Sequence, residues 1–164
     1  MNHKIYYIMG VSGSGKSTIG ELLSTRLDIP FYDSDLFHPP ANIEKMSKGI
    51  PLNDEDRQPW LQAIHDFVVK ELPKGSLIIA TSALKEAYRN TLDGDLPKDQ
   101  VRWIFLFGSY ELLYQRISNR VGHFMPESLL QSQFDTLELP HRNVIAVNVN
   151  QTPEEIVNEI ISKL

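Results

Sequence analysis

The chain contains no cysteine. That excludes disulfides and thiolate metal sites and fits a reducing compartment. It also lacks a basic excess. Its 16 Lys and Arg stand against 21 Asp and Glu, a formal net charge of −5, so no positive stripe is available to follow a nucleic-acid backbone. No apolar run approaches the length that spans a bilayer. The run near the start, Lys4 to Met9, is short for a secretory leader and passes directly into glycine-rich sequence. Internal repeats, low-complexity tracts and linker-like stretches are absent too. At 164 residues the length suits one domain with a sizeable core and not comfortably two. The expectation is a single-domain cytoplasmic protein over residues 1–164 that binds neither nucleic acid nor membrane.

What is present begins at Gly10-Val11-Ser12-Gly13-Ser14-Gly15-Lys16-Ser17-Thr18, which satisfies G-x-x-x-x-G-K-[ST], the phosphate-binding loop. Its glycines permit backbone conformations that a Cβ closes off, so successive N–H groups can turn inward toward phosphate oxygens. Lys16 adds a point charge for the β- and γ-phosphates, and the Ser17 hydroxyl is a ligand for Mg²⁺. The motif requires a strand before it and a helix after it. Lys4 to Met9 reads as a short buried strand, and Ile19, Leu22, Leu23 and Leu27 recur at helical spacing. ATP and Mg²⁺ are therefore the expected ligands.

Strand and helix signals alternate along the rest of the chain, which predicts a parallel sheet with helices on both faces. Further strands are expected at Pro30–Tyr32, Leu77–Thr81, Val101–Phe107 and Val144–Val149. Helices are expected after Pro59, near Ala83, after Ser109, around Leu129–Leu137 and after Thr152, with a helical turn at Asn42–Ser47. Thr152, Pro153 and Glu155 form a capping box with proline at the first helical position. The polar, glycine-containing stretch around 116–128 is expected to be a lid.

Ligands of open parallel sheets bind beyond the carboxyl ends of the strands. That rule selects Asp33 and Asp35 after the second strand, and Thr81, Ser82 and Lys85 after the third. On extended chain, residues 33 and 35 share a side. Two carboxylates beside a phosphate site call for a cation. One of the two is the candidate for Mg²⁺ through water, and the other for orienting and deprotonating an acceptor hydroxyl. Arg116 and Arg120 are one helical turn apart at the start of the lid, suited to stabilising a transferring phosphoryl group. Lys85, Arg89 and Arg57 are candidates for an anionic acceptor. A guanine-reading N-K-x-D and a D-x-x-G switch are both missing from the sequence, which argues against a GTPase-like switch.

Several segments together resemble the small phosphate-loop gluconate kinases along nearly the whole chain. They are Gly10–Thr18, Asp33–Pro39, Asn42–Met46, Gly49–Leu61, Ser82–Lys85 with Tyr88-Arg89, and Gly122–Met125 with Leu129–Phe134. More distantly the plan is similar to shikimate and nucleoside-monophosphate kinases. The resemblance implies an α/β three-layer P-loop kinase fold with a five-stranded parallel sheet, helices on both faces and a mobile lid. It implies transfer of the ATP γ-phosphate to the 6-hydroxyl of D-gluconate and, in many members, a homodimer. Carried onto this sequence, it makes Lys16, Asp35 and Arg120 catalytic, Asp35 as the base. It assigns the acceptor to a segment of about 35–61 and to Asp35, His38, Arg57, Lys85, Arg89, His123 and Gln133. Arg116 and Arg120 join the nucleotide-phosphate contacts, and Ser17 and Asp33 the metal. Two departures stand out. Ser34 replaces a usual glycine, and His141-Arg142-Asn143 replaces a usual acidic pair near the expected adenine site.

If Lys16 neutralises phosphate charge, Lys16→Ala abolishes turnover while the circular dichroism spectrum stays that of the native fold. An unchanged rate removes Lys16 from the mechanism.

Overall fold

The computed structural model describes residues 3–119, 127–141 and 144–164. Five strands, β1 (Ile5–Met9), β2 (Phe31–Asp33), β3 (Leu77–Ala80), β4 (Val101–Phe107) and β5 (Val144–Asn148), form one sheet in the order β2-β3-β1-β4-β5. All neighbours run parallel, with Ile5 level with Leu77 on one side and Val101 on the other. The helices are α1 (Lys16–Leu27), α2 (Pro40–Ser47), α3 (Asp54–Glu71), α4 (Glu86–Asp93), α5 (Tyr110–Ser118), α6 (Glu127–Thr136) and α7 (Pro153–Lys163).

The two-residue period of the strands divides the core. From the central strands, Tyr7, Met9, Ile79, Trp103 and Phe105 point to one face and pack with Trp60, Leu61, Ile64 and Val68 of α3 and Leu92 of α4. Ile8, Ile78, Ile104 and Leu106 point to the other and meet Ile19 and Leu23 of α1, Leu113 of α5 and Ile156, Val157 and Ile160 of α7. Because both faces are covered, β1, β3 and β4 are nearly continuous apolar runs, as parallel sheets require. No described helix is long and apolar enough to cross a membrane.

Three local expectations are corrected. The helix anticipated from Pro59 begins at Asp54. Asn53 caps it by accepting from the Asp56 N–H at 2.8 Å while the Asp56 side chain accepts from the Asn53 N–H at 3.0 Å. Pro59 lies inside this helix rather than at its start. The helix anticipated near Ala83 begins at Glu86, because Ala83 has φ +39° and breaks the approach. Asp33 and Asp35 are not on one extended strand. Asp33 ends β2, and its Oδ1 accepts from the Asp35 N–H at 2.9 Å, which caps a 3₁₀ turn over Ser34–Phe37. Of the anticipated lid, residues 120–126 lie outside the described residues, as do Arg142 and Asn143.

The α3–α4 layer is pinned by a buried histidine. His65 donates from Nδ1 to the Leu92 carbonyl at 2.9 Å, and its ring lies against Gly94, which ends α4 at φ +54° and ψ −130°. A Cβ at Gly94 would sit 2.3 Å from His65 Cε1, on a backbone conformation that L-residues resist. Gly94→Ala therefore carries both an overpacking and a conformational penalty, and should lower stability by about 1–3 kcal/mol. Urea unfolding measures it, and an unchanged midpoint refutes it.

Candidate active site

The phosphate loop leaves the buried β1 and re-enters the fold as α1. Gly13 (φ +83°) and Gly15 (φ +89°) provide its left-handed turns. Gly13 is also held close to α5, since a Cβ there would lie 2.8 Å from Ile117 Cγ1. Lys16 Nζ bridges the loop by donating to the carbonyls of Gly10 at 2.8 Å and Val11 at 3.2 Å. The mouth of the loop opens on a cleft of about 660 Å³. Ser12, Gly13, Gly15, Lys16, Ser17 and Thr18 line it, whereas the Val11 and Ser14 side chains are buried. The N-terminus of α1 thus faces the space an anion would enter.

The acidic turn forms the opposing wall. Ser17 Oγ donates to Asp33 Oδ2 at 3.1 Å, so the hydroxyl and one carboxylate adjoin at the loop. These are hard oxygen donors of the kind Mg²⁺ takes, the remaining positions being filled by water and substrate phosphate. Asp35 projects into the cleft, 83% exposed. Desolvation by the surrounding walls, reinforced by the Asp33 charge, raises its pKa, while His38 and Lys16 work the other way. His38 stacks on Trp60 with ring centroids 4.5 Å apart. Trp60 in turn donates from Nε1 to the Ser34 carbonyl at 2.7 Å. Its ring packs in the core while its polar edge steadies the acidic turn.

Beyond the acidic turn lies a cationic cluster. Tyr88 Oη donates to Asp54 Oδ1 at 2.5 Å, and Lys85 Nζ and Arg57 Nη1 lie 3.5 and 3.7 Å from the same oxygen. Arg57 also donates to Tyr88 Oη at 3.2 Å. The Tyr88 hydrogen bond, with Lys85 and Arg57 adding their charge, holds the Asp54 carboxyl below its ordinary pKa. Arg57, Lys85 and Tyr88 all line the cleft. Asp54 and Tyr88 were missed from sequence. The spacing of Asp54 and Arg57, three apart in a first helical turn, was the available signal.

Other expected residues are placed elsewhere. Arg89 does not reach the cleft. It is 5% exposed and its guanidinium clamps carbonyls, donating to Ala83 at 2.7 Å, Leu84 at 3.2 Å and Glu138 at 2.7 Å. It borders a separate cavity of about 120 Å³ with Asp93 and Trp103. Gln133 does line the cleft, but at the loop. Its Oε1 accepts from the Ser12 N–H at 2.7 Å, and its Nε2 donates to Ser12 Oγ at 2.9 Å. Arg116 donates to the Val149 carbonyl at 2.5 Å, just after β5. Arg120 and His123 lie outside the described residues.

A phosphate loop on this sheet order, facing an acidic turn and a cationic wall, defines a P-loop small-molecule kinase, and a family profile described as shikimate kinase matches residues 12–164. A probable gluconokinase of Xenopus tropicalis is 45% identical over 173 residues, spanning 95% of this chain and 90% of its own. The thermoresistant gluconokinase of Escherichia coli is 42% identical over 165 residues, spanning 98% and 93%. The crystal structure of a gluconokinase from Sinorhizobium meliloti superposes with a TM-score of 0.86 at 44% identity, covering 98% of this chain and 91% of that one. The chain belongs to the gluconokinase branch of the shikimate kinase family.

The Asp33–Asp35 pair makes a titration prediction. Desolvation and the Asp33 charge both favour the protonated form of Asp35, so its midpoint lies above the ordinary value of about 3.9. Asp33→Asn removes one cause and moves that midpoint to lower pH. Carbon-detected NMR titration of the nucleotide-free protein reads both; an upward or absent shift refutes the pairing.

Proposed function

We propose that the protein transfers the γ-phosphoryl group of ATP to the 6-hydroxyl of D-gluconate, giving 6-phospho-D-gluconate and ADP. One observation carries the reading: a phosphate loop, a carboxylate of raised pKa and an Arg–Lys–Tyr cluster open on a single cleft. The names of the relatives support the choice of acceptor.

In this reading the loop N–H groups and Lys16 bind the nucleotide phosphates. Ser17 and Asp33 hold Mg²⁺, the latter through water; when bound, the ion neutralises charge on the phosphate oxygens. Arg57 and Lys85 receive the acceptor's carboxylate. Arginine's fork suits a carboxylate in two-point contact, and the compact ammonium of lysine adds a point charge beside it. The acceptor hydroxyl gives its proton to Asp35 as its oxygen bonds to phosphorus and the bond from phosphorus to ADP breaks. Residues 35–61 form the acceptor segment. Phosphoryl transfer asks the protein chiefly for position and charge, and the two walls of the cleft supply these.

A coupled ADP-release assay over gluconate, other aldonates, shikimate and AMP tests the assignment. Gluconate should be the productive acceptor. Turnover with shikimate or AMP in its place overturns the reading. Arg57→Ala should raise KM for gluconate about tenfold or more, the scale of a lost charge-assisted hydrogen bond, and leave KM for ATP nearly unchanged. A change confined to ATP reverses the division of the cleft.

A further inference from the structure

Behind Asp35, a short chain of hydrogen bonds determines where the proton sits on His38. The carbonyl of Asp56, in the first turn of α3, accepts from Asn42 Nδ2 at 2.8 Å. A carbonyl only accepts, so this contact settles which end of the Asn42 amide is nitrogen. The same nitrogen lies 3.2 Å from His38 Nδ1. Its second hydrogen points at that ring nitrogen, which must then be bare, and the imidazole hydrogen falls on Nε2. Asn42 is 3% exposed, and its donors are used within the protein. Asp56 is itself braced. Its side chain closes the Asn53 cap and pairs with Lys45 at 2.9 Å.

His38 Nε2 faces Asp35 Oδ1 at 3.9 Å. That is too long for a direct hydrogen bond. It suits one hydroxyl oxygen lying about 2.8 Å from each. We propose that Asn42 is a positioning residue that locks His38 in its neutral Nε2–H form, so that His38 offers the acceptor hydroxyl only a donor and the hydroxyl proton goes to Asp35. The proposal rests on the Asp35 assignment made above. The hydroxyl oxygen accepts from His38 and gives its proton to Asp35, and a lone pair remains for phosphorus. An imidazolium would turn an Nδ1–H against the N–H of Asn42, and the lock resists it.

The charged groups around the ring are divided. Asp35, with Asp33 beyond it, favours the imidazolium. Arg57 from α3 disfavours it, Lys16 faces Asp35 across the cleft, and Lys45 is neutralised by Asp56. Burial comes first among these influences and holds the His38 pKa below its ordinary value.

The test is a two-bond proton–nitrogen correlation spectrum of the imidazoles in the full chain, with His38 assigned by its loss in His38→Gln. The expected result is a bare Nδ1 and a protonated Nε2, persisting from pH 8 to below the ordinary imidazole midpoint. Asn42→Asp substitutes an acceptor for the donor. It should move the His38 midpoint above the ordinary value of about 6.5 and lower kcat with gluconate at pH 6 by about tenfold or more, with KM for ATP nearly unchanged. A protonated Nδ1 or a rapidly exchanging mixture in the native protein overturns the lock, as does an unmoved midpoint in Asn42→Asp. Should that variant fail to fold, the native spectrum decides alone. A locked tautomer together with full kcat in Asp35→Asn overturns the assignment of Asp35 and not the lock.

Discussion

The whole site depends on the anchorage of one loop to one strand. β1 is the central strand of the sheet, buried on both faces, and the phosphate loop is its direct continuation. The carbonyls of Gly10 and Val11 are gathered by Lys16, and Gly13 fits against α5. A loop so held presents its N–H groups in fixed positions before any anion arrives. That is the form of electrostatic preorganisation on which phosphoryl transfer relies. The strands beside β1 then decide what else can be near it. β3 and β2, on one side only, deliver Lys85 and the acidic turn. The order β2-β3-β1-β4-β5 therefore puts Lys85 and the acidic turn on one flank of the phosphate loop.

Charge in the cleft is balanced by pairing rather than by distance. An acidic chain receiving two anionic substrates must shield each carboxylate it keeps nearby. Asp33 is engaged by Ser17 and the Asp35 amide, Asp54 by Tyr88, Lys85 and Arg57, and Asp56 by Lys45 and the α3 cap. Asp35 is the carboxylate with its partner at the longest reach, His38 at 3.9 Å. Desolvation, reinforced by the Asp33 charge, raises its pKa against the opposing pull of His38 and Lys16.

Much of this was legible in the sequence. The phosphate loop has a fixed spacing, and β4 was bounded to the residue by turn signals at either end. The capping box at Thr152 and the Ser109 cap appear as read. The misses share a physical cause. Pro59 looks like a helix start, but the cap that starts α3 is Asn53 with Asp56, weaker punctuation in a polar run. Asp33 and Asp35 appeared to share a strand face, yet a side-chain cap curled the chain between them. Arg89 was grouped with Lys85 and Arg57 as an acceptor contact, but its partner Glu138 is 49 residues away, and no local pattern reveals that burial. Tyr88 and Trp60 each carry on an apolar ring a polar tip that finds work at the cleft, and periodicity registers only the ring.

One contact has wider reach. Gln133 offers its amide to Ser12 the way a bound oxyanion would, taking an N–H of the loop on its carbonyl oxygen. Five residues later, Glu138 accepts from the Glu86 N–H at 2.7 Å and donates its own N–H to the Leu84 carbonyl at 2.8 Å, beside Lys85. The end of α6 thus ties the phosphate loop to the Leu84–Glu86 stretch beside Lys85. A ligand that took the Ser12 N–H would displace the Gln133 oxygen, and whatever coupling that displacement carried to the Lys85 side of the cleft would run equally in the reverse direction.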